Sequence, residues 1–117
     1  MMDVTLVNAI KMNITIDKLY QSASDPLMKS CFHVCTIYYD ASIGYLHQAM
    51  NAFESSSYKE SFSCLTDATS AARFCEETFA EPPAARKSPI TTINAYYVSI
   101  STIAEDIMLI FMKRKSS

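Results

Sequence analysis

The 117-residue sequence predicts an all-α, up-and-down four-helix bundle, and three observations carry that expectation. The whole chain holds a single glycine, Gly44; turn-rich β proteins and phosphate-cradling loops depend on glycine, whereas helices do not. Serine and proline gather at only three places, 22–26, 55–57 and 82–89, so three breaks leave four segments. Within the segments, apolar or small residues recur at alternating steps of three and four. That is the seam of helices packed about 20° from antiparallel, and short connections make sequential helices antiparallel neighbours. One domain, 1–117, is expected, long enough to bury roughly two-thirds of its unfolded surface around one core.

The first helix, about 3–21, places Thr5, Ala9, Met12, Ile16 and Leu19 on one stripe. Its 13–16 stretch, Asn-Ile-Thr-Ile, also alternates as a strand would. Asp25-Pro26 opens the second helix, about 26–54, with a capping carboxylate and a proline whose missing N–H costs nothing at the first helical position. Its stripe is Cys35, Tyr39, Ser42, Leu46, Ala49 and Phe53. Ser57-Tyr58-Lys59-Glu60 fits a capping box and starts the third helix, about 58–80, whose stripe is Tyr58, Leu65, Ala68, Ala72, Cys75 and Phe79. Pro82-Pro83 stops it. Ser88-Pro89 opens the fourth, about 89–114, with Ile93, Tyr97, Ile100, Ala104, Ile107 and Phe111 facing in. Lys113, Arg114 and Lys115 suit the negative end of that helix.

Composition and spacing exclude several function classes. Ten cations against twelve anions, spread along the chain for a net charge of −2, lack the footprint of a nucleic-acid binder. The unbroken apolar run Ile107 to Met112 is six residues long, against the ~20 of a membrane span, so no membrane is expected. The opening Met1-Met2-Asp3-Val4 has no signal-peptide pattern. His33 and His47 stand roughly 21 Å apart on one helix and cannot share a metal. The adjacent acids Glu76-Glu77 and Glu105-Asp106 do not face each other, and the serines sit in no nucleophile motif. No cofactor, metal or catalytic residue is expected, and the chain reads as a non-enzyme that binds another protein.

The cysteines are more informative. A hairpin of helices two and three, turning near Ser55, sets Cys35 and Cys75 each 20 residues from the turn, at equal height and on inward stripes. Their Cα atoms then fall within the ~6 Å a disulfide requires. The same register separates Cys31 from Cys64 by roughly 22 Å, so these two cannot pair within one molecule. Either a bridge joins Cys35 to Cys75, or all four cysteines are small buried hydrophobes. A zinc site fails on geometry.

Two features suggest where a partner binds. Tyr38, Tyr45 and Tyr96 fall off the buried stripes, so they either anchor an interface or wrap the flanks of the core with their hydroxyls in water. Tyr58, Lys59 and Glu60 sit at the rigid start of helix three beside a serine-rich turn. Lys59 has no core role, and either enters a partner or pairs in solvent with Glu54 or Glu60.

Taken together, Asp25-Pro26 with Cys35 nine residues on, Tyr39-Asp40, Leu46, Ala49, Phe53, Tyr58, Leu65, Ala68, Cys75, Phe79, Ser88-Pro89-Ile90-Thr91, Asn94 and Ala104 resemble the plant invertase and pectin methylesterase inhibitor family over roughly residues 4–112. The nearest likeness is to its pollen-type invertase inhibitors. The resemblance implies a four-helix bundle with a disulfide between its second and third helices, here Cys35 with Cys75, leaving Cys31 and Cys64 as free thiols. It implies a protein that inhibits acid invertase or pectin methylesterase in a 1:1 complex, secreted to the cell wall (apoplast) or vacuole. The family's N-terminal helical hairpin and its own disulfide have no counterpart here, which implies an N-terminally truncated product or a divergent member. Cell-wall invertase inhibitors carry Pro-Lys-Phe at the turn into the third bundle helix; Tyr58-Lys59-Glu60 keeps the lysine and loses both flanks. The tyrosine is common in the pectin methylesterase and pollen types. The implied contact surface is Tyr58, Lys59 and Glu60 with Tyr38 and Tyr45. The rivals from other classes are a non-inhibitory interaction or storage-type helical protein, a truncated inactive relative, and a bundle that binds a small ligand.

Overall fold

In the computed structural model, which describes residues 2–82 and 84–116, four helices run Met2–Ser22 (α1), Pro26–Glu54 (α2), Tyr58–Ala80 (α3) and Thr91–Ser116 (α4). The chain is all-α, with no strand among the described residues. The helices pack in sequence order, and α1 closes the ring against α4, so that α2 and α4 face each other across a diagonal. The result is a rod 54 Å long and about 20 Å across.

Asp25 starts α2 with its carboxylate accepting from Leu27 N–H at 3.0 Å, which satisfies one of the free donors of the first turn. Arg86, in the connection between α3 and α4, pairs with the same carboxylate and ties that connection to the end of α1–α2. In α1 the helical stripe prevails over the strand-like alternation. Thr5, Ala9, Met12 and Ile16 are buried while Ile14 and Thr15 face solvent, because the bundle offers α1 one groove rather than a sheet edge.

The α2–α3 hairpin is the most closely packed pair. Cys35 and Cys75 are bridged, with Cα atoms 4.8 Å apart. The same register continues toward the turn: Ser42 donates to the Ala68 carbonyl at 2.9 Å and Ser61 to the Ala49 carbonyl at 2.7 Å. Each of these pairs is equidistant from Ser55 in sequence. Small side chains at these positions let the backbones approach and let a hydroxyl reach the opposite main chain.

α4 departs from its sequence expectation in two ways. It begins at Thr91 rather than 89, because Ser88 and Pro89 form a preceding turn in which the Ser88 hydroxyl accepts from Ile90 N–H. Its buried face is Asn94, Tyr97, Ser101, Ala104 and Met108, so Ile93, Ile100, Ile107 and Phe111 are only half-buried. The polar members are there to be bonded. Tyr39 donates to the Asn94 carbonyl at 2.7 Å, Asn94 donates to Glu76 at 2.8 Å, Ser42 bonds the Tyr97 phenol, and Thr69 bonds Ser101. Hydroxyls and an amide that find partners across the core hold these positions at little net cost, and the isoleucines move to the flank.

Residues 91–114 are also long and apolar enough to cross a membrane by length and composition. Counting unbroken apolar runs misses this, since Ser99, Ser101 and Thr102 interrupt the runs without making the helix hydrophilic. Here the helix is the fourth member of the bundle, with the Tyr97 and Ser101 hydroxyls and Asn94 bonded to α2 and α3.

Candidate functional site

The α2–α3 turn is built by main-chain bonds. Ser57 N–H donates to the Ala52 carbonyl at 2.8 Å and Ser56 N–H to the Phe53 carbonyl at 3.0 Å. Ser56 adopts a left-handed φ of 60°. This pair of bonds is a Schellman motif, with a serine at the position glycine usually takes. The capping box expected from Ser57 and Glu60 does not form, because the Ser57 side chain makes no cap bond. The linker has only three residues, so Ser57 must finish α2 and start α3 at once. Its backbone, at φ −90° and ψ 68°, is set by the first duty.

Beneath the turn, the ends of three helices bring Phe53, Tyr58 and Phe111 into one aromatic cluster. Phe53 and Phe111 meet edge-on with centroids 5.2 Å apart, and Tyr58 lies 5.5 Å from each. Tyr58 is half-buried, so its ring supports the turn while Lys59 and Glu60 project into solvent. Shallow depressions adjoin the turn. One is lined by Gln48, Asn51, Ser55, Ser57 and Glu60, one by Ser56, Tyr58, Phe111 and Arg114, and one by Met2, Asp3, Met50 and Phe53. The surface at this end of the rod is therefore rigid, concave in places, and mixed in charge.

Tyr38 and Tyr45 are not part of that end. They lie on the α3-facing flank of α2, both half-buried, and Tyr38 packs on the exposed Phe74 ring at 5.8 Å. At 1.5 Å per residue Tyr38 stands roughly 26 Å and Tyr45 roughly 15 Å along the rod from the turn. The five residues expected at the contact surface thus form two separate groups, Tyr58, Lys59 and Glu60 at the turn and Tyr38 and Tyr45 farther along α2. Phe74, absent from that expectation, belongs with Tyr38. Its signal in the sequence was an aromatic off the buried stripe, the same signal that singled out the tyrosines. Tyr96, the other such tyrosine, is on α4, 60 % exposed.

The free thiols offer no nucleophile. Burial pushes the Cys31 thiol up, and burial followed by the Glu60 and Asp67 carboxylates pushes Cys64 up, so both stay protonated near neutrality. Cys31 lies against the Thr78 carbonyl and Cys64 beside Gln48, at well-separated heights in the hairpin. Among the described residues no group of His, Cys, Asp and Glu is arranged to hold a metal ion.

The chain matches the family model described as plant invertase/pectin methylesterase inhibitor over residues 1–107. Two solved structures share its fold. One is the crystal structure of a pectin methylesterase inhibitor from Arabidopsis thaliana, with a TM-score of 0.75 at 16 % identity, covering 94 % of this chain and 70 % of that one. The other is mutant form A of a pectin methylesterase inhibitor from Arabidopsis, with the same score, identity and coverage. No curated protein matches the chain.

Proposed function

The chain belongs to the plant invertase/pectin methylesterase inhibitor family, and from that premise we propose that it inhibits acid invertase or pectin methylesterase by forming a 1:1 complex. The observation that carries the reading is the α2–α3 hairpin. A disulfide, hydroxyl-to-backbone bonds and a Schellman turn fix its shape before any partner arrives, and it presents Lys59 and Glu60 at its tip and the Tyr38–Phe74 pair on its side. Side chains held on a rigid element lose little freedom on binding, which is what a tight inhibitor surface needs. The tip supplies charge and the flank supplies aromatic area, the usual division between rim and core of an interface.

The same reading places the protein in the apoplast or vacuole, oxidising enough to keep the Cys35–Cys75 bridge. The test assays the oxidised chain side by side against acid invertase and pectin methylesterase from mildly acidic to neutral pH, with co-elution as a second readout. Inhibition of one enzyme with a 1:1 complex is expected. No inhibition and no complex with either would leave a non-inhibitory interaction protein.

A further inference from the structure

Asn13, Ile14 and Thr15 on α1 form an Asn-x-Thr triplet, the acceptor sequence for N-linked oligosaccharide in a chain that enters the secretory lumen. The residues two places after the other asparagines, Asn8, Asn51 and Asn94, are Ile10, Phe53 and Tyr96, so Asn13 alone is followed by the hydroxyl that the transfer needs. A bare triplet is a weak signal, and its placement decides whether it can be used.

The acceptor amide lies at the surface. Asn13 Nδ2 donates to the Asp40 carboxylate at 2.6 Å in an exposed contact across the outer seam between α1 and α2. Beside this pair, Ile10 one turn before Asn13 and Ile37 one turn before Asp40 are themselves 42 and 54 % exposed, so the seam is open to a bulky group. A glycosylated amide keeps one N–H, enough for a single bond to Asp40. The sugar then covers apolar surface that the bundle leaves in water. Asp40 is 15 residues before Ser55, which sets the attachment point roughly 22 Å along the rod from the α2–α3 turn and keeps the tip clear.

The order of events also fits. An amide nitrogen is a poor nucleophile, and the hydroxyl two residues on must turn back to it. Helical residues two apart do not face each other, so Thr15 cannot serve Asn13 once α1 has formed, and transfer has to precede folding. The strand-like run of asparagine, isoleucine and threonine at 13–16 has low helix propensity, and α1 takes its stability from packing on α2 and α4, which are synthesised after it. The triplet therefore stays extended long enough to be read.

We propose that Asn13 is an N-glycosylation acceptor, modified in the secretory lumen before α1 folds. Its Nδ2 attacks C1 of the first sugar of a polyprenyl-diphosphate oligosaccharide. The C1–N bond forms as the C1–O bond to the diphosphate breaks, the diphosphate leaves with the electron pair, and one amide proton passes to a base of the lumenal transferase. The proposal takes its compartment from the apoplastic or vacuolar reading.

The full chain behind a cleavable secretion leader, expressed in plant cells and recovered from the medium, supplies the test. Intact mass should show a ladder of forms one sugar apart, which a peptide N-glycosidase collapses to a single mass with the Asn13 amide converted to an acid. Asn13→Gln and Thr15→Ala should each abolish the ladder, and Thr15→Ser should keep it. Thr15→Ala retains the Asn13–Asp40 bond, so its effect reports the triplet rather than the fold. A secreted protein of 13.1 kDa alone, with the Cys35–Cys75 bridge formed, or a ladder that survives Thr15→Ala, would overturn the proposal. Either result leaves the compartment reading untouched, because the leader and not the chain chose the route.

Discussion

The Tyr39 phenol donates a 2.7 Å hydrogen bond to the Asn94 side-chain carbonyl, tying α2 to α4 across the diagonal of the bundle, where the two backbones do not approach and side chains such as these span the gap. Both residues are buried, and the Asn94 amide is shared between Glu76 and the Cys75 sulfur. Tyr39→Phe keeps the ring, which also packs edge-on against Tyr97, but leaves the Asn94 carbonyl without its donor. The expected cost is about 1–3 kcal/mol, read as a lower urea midpoint at unchanged slope. An unaltered midpoint would mean the bond contributes nothing net.

The same buried phenols make the fold sensitive to alkali. Burial pushes the Tyr97 phenol up to about 12, against a partial lowering by its bond to Ser42. Tyr39 is raised further, by burial first and then by the nearby Tyr97 and Glu76. A phenol whose folded pKa exceeds its unfolded value of about 10 contributes stability that is complete below pH ~10 and is lost as pH climbs through the folded value. Stability should be level from neutral to about pH 8.5, ease above it as the buried Cys31 and Cys64 thiols resist ionisation, and fall steeply between about pH 10 and 12. Two of the seven tyrosines should ionise, by absorbance near 295 nm, only as helicity is lost.

Ser56 holds a left-handed conformation that costs a residue with a Cβ roughly 1–2 kcal/mol and costs glycine almost none. Ser56→Gly should therefore stabilise the chain by about 0.5–1 kcal/mol after the looser unfolded state is counted, a rise of about 2–8 °C in Tm. Ser56→Val should lower it.

The Cys35–Cys75 bridge closes a loop of about 40 residues, worth roughly 4 kcal/mol in the chain-entropy account. Replacing both with alanine should remove a comparable amount, and peptide mapping without reductant should find this pair alone bridged. Cys31 and Cys64, buried and held protonated, should react with alkylating reagent only on unfolding.

Lys59→Glu tests the tip of the hairpin. A lysine received by an acidic cleft should lose about 2 kcal/mol or more of binding on reversal, a thirtyfold rise in inhibition constant, with no change in Tm because the side chain is exposed. An unchanged constant would move the contact to Tyr38, Phe74 and Tyr45.

How much of this was legible beforehand depended on whether the cause was local. Asp25-Pro26 and the equal height of Cys35 and Cys75 need only neighbouring residues or a hairpin of fixed pitch, and both could be read directly. Ser57 could not be read correctly from its motif, because a capping box presumes a residue free to serve one helix, and a three-residue linker gives it two. The buried face of α4 was hidden for another reason: Ile93, Ile100 and Ile107 outrank Asn94 and Ser101 by hydrophobicity alone, and the order reverses only when Tyr39 and Thr69 are there to bond them. The Phe53–Tyr58–Phe111 cluster depends on three helix ends meeting, which periodicity within one helix does not encode.

The placement of the bridge bears on what a protease would see. Everything from residue 36 to 74, including the serine-rich turn that is the most accessible stretch of the hairpin, lies inside the loop the disulfide closes. A single cut there divides the backbone without dividing the molecule. The two fragments stay joined at Cys35 and Cys75 and in register along the Ser42–Ala68 and Ser61–Ala49 contacts, so the clipped form would migrate as one species until reduced. A cut in the connection between α3 and α4 has no such safeguard, since only packing and hydrogen bonds, the Arg86–Asp25 ion pair among them, keep the last helix attached.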